Sequence, residues 1–175
     1  MLNLFLPNEQ VNKTFDIDPD SLRKKNIKGI IVDVDNTLVA WNVAHATDEV
    51  LTWLQKMKDA DMKVTIFSNN NENRVTLFAE PLDTPFVFNA RKPLRRAFKK
   101  ARKEMGLEKD EVAVIGDQLL TDILGGNRAG YYTILVDPIV TSDAAITKFN
   151  RNIERMLLNH FYRKGKLKRR VVDNE

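Results

Sequence analysis

Polar residues that could take part in chemistry follow three short apolar runs of this chain. Asp33 and Asp35 come at the end of IKGIIV, Ser68 and Asn69 follow KVTIF, and Asp117 follows VAVIG. Two carboxylates at the end of a buried strand repel each other, and each is costly to remove from water. Such a pair indicates either a cationic ligand or a reaction that needs two acids.

The residue types favour phosphate chemistry assisted by a metal. Asp33, Asp35 and Asp117 carry hard oxygen ligands of the kind that Mg²⁺ prefers. A bound metal would offset the repulsion between the carboxylates and attract a dianionic phosphate. Ser68 and nearby backbone amides can bind phosphate oxygens, and Lys92, after the run FVFN, can neutralise the charge that grows on them.

Alternating strands and helices would bring these residues together. Buried apolar runs rich in strand-forming residues predict five strands, which cover residues 27–34, 62–68, 86–89, 111–117 and 131–137. Between them, Thr47 is expected to cap one helix and Asn71 or Asn73 the next. The alternation predicts a parallel sheet with helices on both faces, in which ligands bind beyond the carboxyl ends of the strands.

Three later helices are also predicted. Pro93 suits the first turn of a helix that ends at Gly106. A helix from about Leu119 is expected to stop in GGNRAG, which is interpreted as a helix stop rather than as a phosphate loop. Ser142 or Asp143 would cap the last helix. Its predicted apolar face consists of Ile146, Phe149, Ile153, Met156, Leu157 and Phe161.

Length and composition are those of one globular domain. The chain has 175 residues and no cysteine, which excludes disulfides, thiolate zinc sites and cysteine nucleophiles. We expect a single domain over residues 1–175, with its motifs in 27–137, in the cytoplasm. No apolar run reaches the roughly 18 residues of a membrane span, and the apolar start MLNLFLP is interpreted as a docking segment.

The positive charge is concentrated near the carboxyl terminus. The chain has a net charge of +4, yet residues 148–170 contain nine Lys or Arg and one Glu, so the remainder is net negative. We expect residues 143–175 to form an amphipathic helix and a basic tail. An anionic membrane, at its inner face, is one partner for this end. RNA is less favoured because few aromatic residues accompany the cations, and a solvated tail is an equal alternative.

Four segments resemble, in order and spacing, the motifs of the haloacid-dehalogenase (HAD)-like phosphatases: DVDNTL, SN, a lysine before a helix, and GDQLLTD. IKGIIVDVDNTLVAWN, FNARKP and GDQLLTDILGGNRAG are similar to the YqeG-type class IIIA branch, which itself resembles phosphatidylglycerophosphate phosphatases. The resemblance implies a Rossmann-like α/β/α sandwich with a five-stranded, mainly parallel sheet. The intervals between the motifs leave no room for a large cap domain.

The resemblance also implies roles for the first and last motifs. Asp33 would be the nucleophile that forms an aspartyl-phosphate. Asp35 would protonate the leaving oxygen and then deprotonate the attacking water. Lys92 would stabilise the phosphoryl charge. Mg²⁺ would be held by Asp33, Asp117 and the backbone carbonyl of Asp35.

The other motif residues would act around the phosphoryl group. Ser68, Asn69 and Thr37 would bind it, with Thr37 also steadying its turn, and Asp122 would orient Lys92 or a metal-bound water. Simpler interpretations stay open. Ser68 and Asn69 could cap a helix, Lys92 could belong to a solvated basic face, and Asp122 could be an ordinary acid at the start of a helix.

The sequence therefore predicts a magnesium-dependent phosphatase acting on phosphatidylglycerophosphate or another anionic phosphate ester. A phospho-receiver domain is disfavoured because FVFNARK offers no aspartate after the third strand. A binding protein that keeps the fold and uses its basic helix on RNA or a membrane is the remaining alternative. Trp41, directly after the first motif, could either gate the site or fill the core.

Overall fold

The computed structural model describes residues 2–140 and 147–168, with side chains of the last helix described from residue 152. Its six strands are β1 (Glu9–Val11), β2 (Gly29–Val32), β3 (Lys63–Phe67), β4 (Phe86–Val87), β5 (Val112–Gly116) and β6 (Tyr132–Val136). They form one parallel sheet in the order β1–β6–β5–β2–β3–β4. The predicted parallel α/β architecture is confirmed, with six strands instead of five.

In the described residues, five α-helices connect the strands and a sixth follows β6: α1 (Pro19–Arg23), α2 (Asp48–Asp59), α3 (Glu72–Ala79), α4 (Arg95–Met105), α5 (Leu124–Ala129) and α6 (Thr147–Arg163). The caps of α2 and α3 agree with the prediction, since Thr47 accepts a hydrogen bond from Val50 N and Asn71 from Arg74 N. Both caps satisfy amides that a helix start otherwise leaves without partners.

Apolar side chains cover both faces of the sheet. On one face Val50, Trp53 and Met57 of α2 pack with residues of α1, α3 and alternate strand positions. On the other face α4 and α5 pack against Ile31 and Val114. Burial on both faces explains why the central strands are almost uninterrupted apolar runs.

Strand β1 and helix α1 were not predicted. The sequence of β1, EQV, is only three residues long and all three are half-buried. Its pairing with β6 depends on a partner more than 120 residues away. A strand this short carries too few residues to show a period of two.

The glycine-rich run GGNRAG contains the predicted helix stop, but the stop comes only at its last residue and the rest of the run is helical. Gly125 and Gly126 lie within α5, and only Gly130, at φ 83°, ends the helix. A Cβ on Gly125 would overlap the ring of Phe98, and one on Gly126 would overlap Thr133. The two glycines therefore let α5 approach α4 and the sheet closely. The prediction that Pro93 lies in the first turn of α4 is wrong, because the helix begins at Arg95.

The predicted apolar face of α6 is partly wrong. Met156 is 72% exposed and Ile153 is exposed too, while Phe161 is buried and Leu157 packs beside Leu119 and Ile123. Glu154 is buried instead, with its carboxylate accepting a hydrogen bond from Leu120 N at 3.0 Å. The predicted caps Ser142 and Asp143, Ile146 and the side chain of Phe149 lie outside the described residues.

The amino-terminal segment docks on α5, as predicted, but through hydrogen bonds to its backbone, since Leu2 and Leu4 are exposed. Asn127 Nδ2 donates to the carbonyls of Leu4 and Leu6 at 2.8 and 2.9 Å. In residues 2–140 and 147–168, no helix has the length and apolar character needed to cross a membrane. The basic tail from residue 169 onward lies outside the described part of the chain.

Candidate active site

The loops after β2, β3, β4 and β5 meet at the carboxyl edge of the sheet. This edge places Asp33, Ser68, Lys92 and Asp117 together, and all four are buried. Strand β2 pairs with β3 on one side and with β5 on the other, so the residues that follow these strands are neighbours in space. The juxtaposition is a direct result of parallel pairing.

Lys92 lies at the centre of the site. Its Nζ donates to Asp33 Oδ1 at 2.5 Å, to Asp122 Oδ1 at 2.7 Å and to the carbonyl of Phe67 at 3.3 Å. The Lys92 side chain is only 3% exposed, so it does not belong to the solvated basic face formed by its neighbours. Burial disfavours its charged form, but the two adjacent carboxylates outweigh that effect and raise the pKa of Lys92 above its usual range.

Three buried carboxylates surround this lysine. Oxygens of Asp33, Asp117 and Asp122 all lie within 4.8 Å of one another. With the carboxylates ionised and Lys92 protonated, the group has a net charge of −2, which suits a divalent cation bound by oxygen ligands. The side chain of Asp35 is not in this group. The predicted metal ligand of Asp35 is its backbone carbonyl, and that role stays a prediction.

Asp122 holds both Lys92 and its own loop. One carboxylate oxygen accepts from Lys92, and the other accepts from Gln118 N at 3.2 Å. It lies in a π-helical turn, Leu119–Ile123, that directs its side chain back towards β5. At 2% exposure it is not an ordinary solvated acid at a helix start. The contacts are those of a group that orients Lys92 and can also face a metal.

Burial shifts the titration of Asp33. The pKa of Asp33 is raised to about 7: removal from water is the main cause, Lys92 opposes the rise, and Asp122 and Asp35 add to it. The attraction of Lys92 therefore does not offset the cost of burying the ionised Asp33 carboxylate. A further cation at this position would favour the ionised form that a nucleophile requires.

Asp35 faces a different set of partners. Its Oδ1 accepts from Arg74 Nη2 at 2.9 Å, and its Oδ2 accepts from Asn70 Nδ2 at 3.3 Å. Arg74 also donates to the carbonyl of Ala44, so its guanidinium links the first motif to α3. The two aspartates of the first motif are therefore held by different cations, Asp33 by Lys92 and Asp35 by Arg74.

Arg74 was missed by reasoning from the sequence. The available indication was its place in the first turn of α3, where the helix dipole favours acidic residues and disfavours cations. An arginine at such a position does not favour the helix, which indicates that it has a favourable contact outside the helix. Which carboxylate it contacts depends on the direction of α3, which the local sequence does not specify.

Ser68 and Asn69 follow β3 but do not cap α3, since that cap is Asn71. Ser68 Oγ accepts from Asn70 N at 3.0 Å and lies 3.5 Å from Asp35 Oδ2. Asn69 Oδ1 accepts from Lys92 N at 2.7 Å, and its Nδ2 donates to Lys92 O at 3.3 Å. The Asn69 amide thus fixes the backbone that presents Lys92, and substrate binding by Asn69 stays a prediction.

The first motif continues into a tight loop. Asn36 has φ 65°, its N donates to Val39 O at 2.7 Å, and its Oδ1 accepts from Trp41 N at 3.3 Å. Thr37 Oγ1 lies 3.5 Å from Asp117 Oδ1, which links this loop to the fourth motif. Trp41 is 41% exposed, so it does not fill the core.

Comparison with known sequences gives matches over most of the chain. A family model described as mitochondrial PGP phosphatase matches residues 2–80, and one described as HAD-hydrolase-like matches residues 89–162. The probable phosphatase YqeG of Bacillus subtilis (strain 168) is 55% identical over 161 residues, which cover 92% of this chain and 94% of that protein.

A more distant relative is longer. Phosphatidylglycerophosphate phosphatase 1, chloroplastic/mitochondrial, of Arabidopsis thaliana is 28% identical over 171 residues, covering 91% of this chain but 49% of that protein. The chain thus spans about half the length of the Arabidopsis protein.

Among solved structures, the cobalt-bound deoxy-D-mannose-octulosonate 8-phosphate phosphatase YrbI of Haemophilus influenzae has a similar fold. Its TM-score is 0.55 at 18% identity, over 77% of this chain and 89% of that chain. At this identity the likeness concerns the fold, a Rossmann-type parallel sheet between layers of helices.

Proposed function

The chain belongs to the YqeG-type family of HAD-like phosphatases, and we propose that it is a magnesium-dependent phosphomonoesterase that forms an aspartyl-phosphate on Asp33. The predicted family and enzyme class are confirmed by this membership. Phosphatases of the superfamily generally use a divalent metal. The observation that supports the mechanism is the buried group of Asp33, Asp117 and Asp122 around Lys92.

The metal site fits the residues present. Asp33 and Asp117, with the backbone carbonyl of Asp35, would hold Mg²⁺, and the Asp122 carboxylate lies within reach of the same point. When bound, the ion supplies positive charge that offsets the carboxylates and stabilises the phosphoryl oxygens. The remaining chemistry belongs to side chains of this protein.

In the first step an oxygen of Asp33 attacks phosphorus, and the bond from phosphorus to the ester oxygen breaks. Asp35 gives its proton to that leaving oxygen, which departs as an alcohol. Lys92 lies 2.5 Å from Asp33 and neutralises charge as it moves to the phosphoryl group. Splitting the displacement into two steps lowers each barrier.

In the second step water attacks the aspartyl-phosphate while Asp35 takes a proton from it. The bond from phosphorus to Asp33 breaks, which releases inorganic phosphate and restores the carboxylate. Ser68 Oγ and Thr37 Oγ1 belong to buried residues, lie 3.5 Å from oxygens of Asp35 and Asp117, and would donate to the phosphoryl oxygens. Asn69 and Asp122 would act by positioning Lys92.

The substrate that we propose is an anionic phosphate monoester, with phosphatidylglycerophosphate as the leading candidate. The name of the Arabidopsis relative and the match to the PGP phosphatase family support this choice. The proposed setting is the cytoplasm, at the inner face of a membrane where such a lipid headgroup is within reach.

Turnover of p-nitrophenyl phosphate and of a panel of phosphorylated lipids and metabolites, with Mg²⁺ or with EDTA, tests the proposal. We expect turnover only with Mg²⁺, none in Asp33→Asn, and wild-type turnover in the control Asp83→Asn, an exposed aspartate at the opposite edge. Rapid acid quenching followed by mass spectrometry should find one phosphoryl group on Asp33. Full turnover by Asp33→Asn would overturn the mechanism.

A further inference from the structure

A basic surface with an exposed leucine lies beside the site, at the start of α4. We call it the α4 rim and define it as Arg91, Leu94, Arg95, Arg96 and Lys99, all of which are exposed. With Lys100 and Lys103 these residues line an open depression of about 1150 Å³. Among the described residues that line it, Glu104 is the one carboxylate, and it lies 3.6 Å from Lys100.

The start of α4 is poorly suited to stabilising the helix. Leu94 occupies the N-cap without making a side-chain hydrogen bond, and leucine is among the least favourable residues there. Arg95 and Arg96 lie in the first turn, where the helix dipole disfavours cations, and this turn contains no acid. Local stability therefore does not explain these three residues.

The helices that follow β2 and β3 at the same edge begin differently. Thr47 caps α2 and Asn71 caps α3, each through a side-chain hydrogen bond. The first turn of α2 carries Asp48 and Glu49, and that of α3 carries Glu72 together with Arg74, which is paired with Asp35. The α4 rim thus departs from the pattern of its neighbours, towards positive charge and exposed apolar surface.

We propose that the α4 rim docks on an anionic phospholipid surface. Exposed cations around an aliphatic side chain are what such a surface attracts, through its charge and through burial of the apolar group. Leu94 is 52% exposed and is well placed to enter the headgroup layer. No aromatic side chain lines the depression among the described residues, and stacking on single-stranded RNA would need one.

The α4 rim lies next to the candidate active site. Arg91 is the residue before Lys92, whose ammonium contacts the proposed nucleophile Asp33. A bilayer held at the α4 rim would therefore lie at the mouth of the site. The inference relies on the proposed function only for the choice of a lipid partner, because docking itself needs no catalysis.

Sedimentation with vesicles of phosphatidylcholine, with or without phosphatidylglycerol, tests the proposal on the full chain. We expect binding only to the anionic vesicles and release as salt is raised. The variant Leu94→Ser/Arg95→Glu/Arg96→Glu should bind these vesicles at least about tenfold more weakly. Each basic residue near an anionic surface contributes roughly 1 kcal/mol of binding free energy, and the variant removes two. Its thermal midpoint should not fall, because the new residues favour the helix start.

The matched control is Leu77→Ser/Lys24→Glu/Lys58→Glu, which changes charge equally. Leu77, Lys24 and Lys58 are exposed and lie on segments that lead into the opposite edge of the sheet. This control should bind vesicles more tightly than the rim variant does. Equal binding by the rim variant and the wild type would overturn the proposal, as would binding to neutral vesicles or a preference for single-stranded RNA.

The same wild-type preparation separates this inference from the proposed function. Hydrolysis of p-nitrophenyl phosphate without vesicle binding would overturn the docking alone. Vesicle binding without hydrolysis of any phosphate ester would overturn the phosphatase mechanism alone.

Discussion

The carboxyl group of Asp122 packs directly over the Cα of Gly116, in the space that a Cβ at residue 116 would occupy. Gly116 is the last residue of β5 and precedes Asp117, so the glycine lets Asp122 reach back to Lys92. The glycine before the fourth-motif aspartate is therefore required by a side chain six residues further on.

Replacing Gly116 by alanine should displace Asp122 and weaken its bonds to Lys92 and to Gln118 N. Displacement of a catalytic group by about 1 Å can cost roughly a hundredfold in rate, and overpacking costs about 1–3 kcal/mol. We expect losses of that order in kcat and in the free energy of unfolding. Gly106→Ala is the control. It strains a left-handed residue in open space, so it should lower stability without changing kcat.

Stability without metal should depend on pH through Asp33. Its pKa is raised from 3.8 to about 7, so between these values the folded protein holds a proton that the unfolded chain has lost. The free energy of unfolding must then fall as pH rises through that window.

In EDTA, urea unfolding at pH 5 and pH 8 should show a decrease in wild-type stability that exceeds the decrease in Asp33→Asn by about 2 kcal/mol. The variant has no group to titrate at this position. Equal pH dependence in both proteins would contradict the assignment. Mg²⁺ should reduce the wild-type decrease, because the metal binds the ionised carboxylate.

Asp35→Asn should lose most activity on substrates with poor leaving groups. General acid catalysis contributes about 10²–10⁴ in rate, and an alkyl phosphate needs it far more than a nitrophenyl ester does. We expect kcat to fall by at least about a hundredfold on an alkyl phosphate and clearly less on p-nitrophenyl phosphate. Similar losses on both substrates would argue against Asp35 as the acid. The variant Asp33→Asn should lose activity on both substrates, because it lacks the proposed nucleophile.

Arg74 should act by positioning Asp35. Arg74→Met removes the 2.9 Å contact with Asp35 Oδ1, and we expect kcat to fall about tenfold with little change in KM. Arg74→Lys should restore part of the loss, since it keeps the charge but not the forked geometry. The matched control is Arg23→Met, because Arg23 also binds one carboxylate and one carbonyl, those of Asp20 and Ala60. Normal kcat in Arg74→Met would refute the role.

Much of the site could be predicted because it follows strand ends. Asp33, Ser68 and Asp117 each lie directly after an apolar run, and parallel pairing then places them at one edge. Lys92 could be chosen among several neighbouring basic residues only by its match to the motif. Its burial depends on the turn between β4 and α4.

The parts that could not be predicted depend on contacts between distant elements. Arg74 meets Asp35 because of the direction of α3, and Asn69 meets the backbone of Lys92 across 23 residues. Glu154 is buried in α6, where the helical pattern favoured an exposed side chain, because Leu120 N offers it a hydrogen bond. None of these contacts can be predicted from the residues that neighbour either partner in the sequence.

The strand order has a consequence for how the chain folds. Strands β5 and β6, from the second half of the chain, lie between β1 and β2, from the first half. A fragment that ends after β3 would therefore leave β1 with no neighbour, and a fragment that begins at β4 would leave β4 without β3 and β5 without β2. We expect neither fragment to fold alone, but a chain cut in the exposed turn near Asp83 could regain activity when its two pieces reassociate.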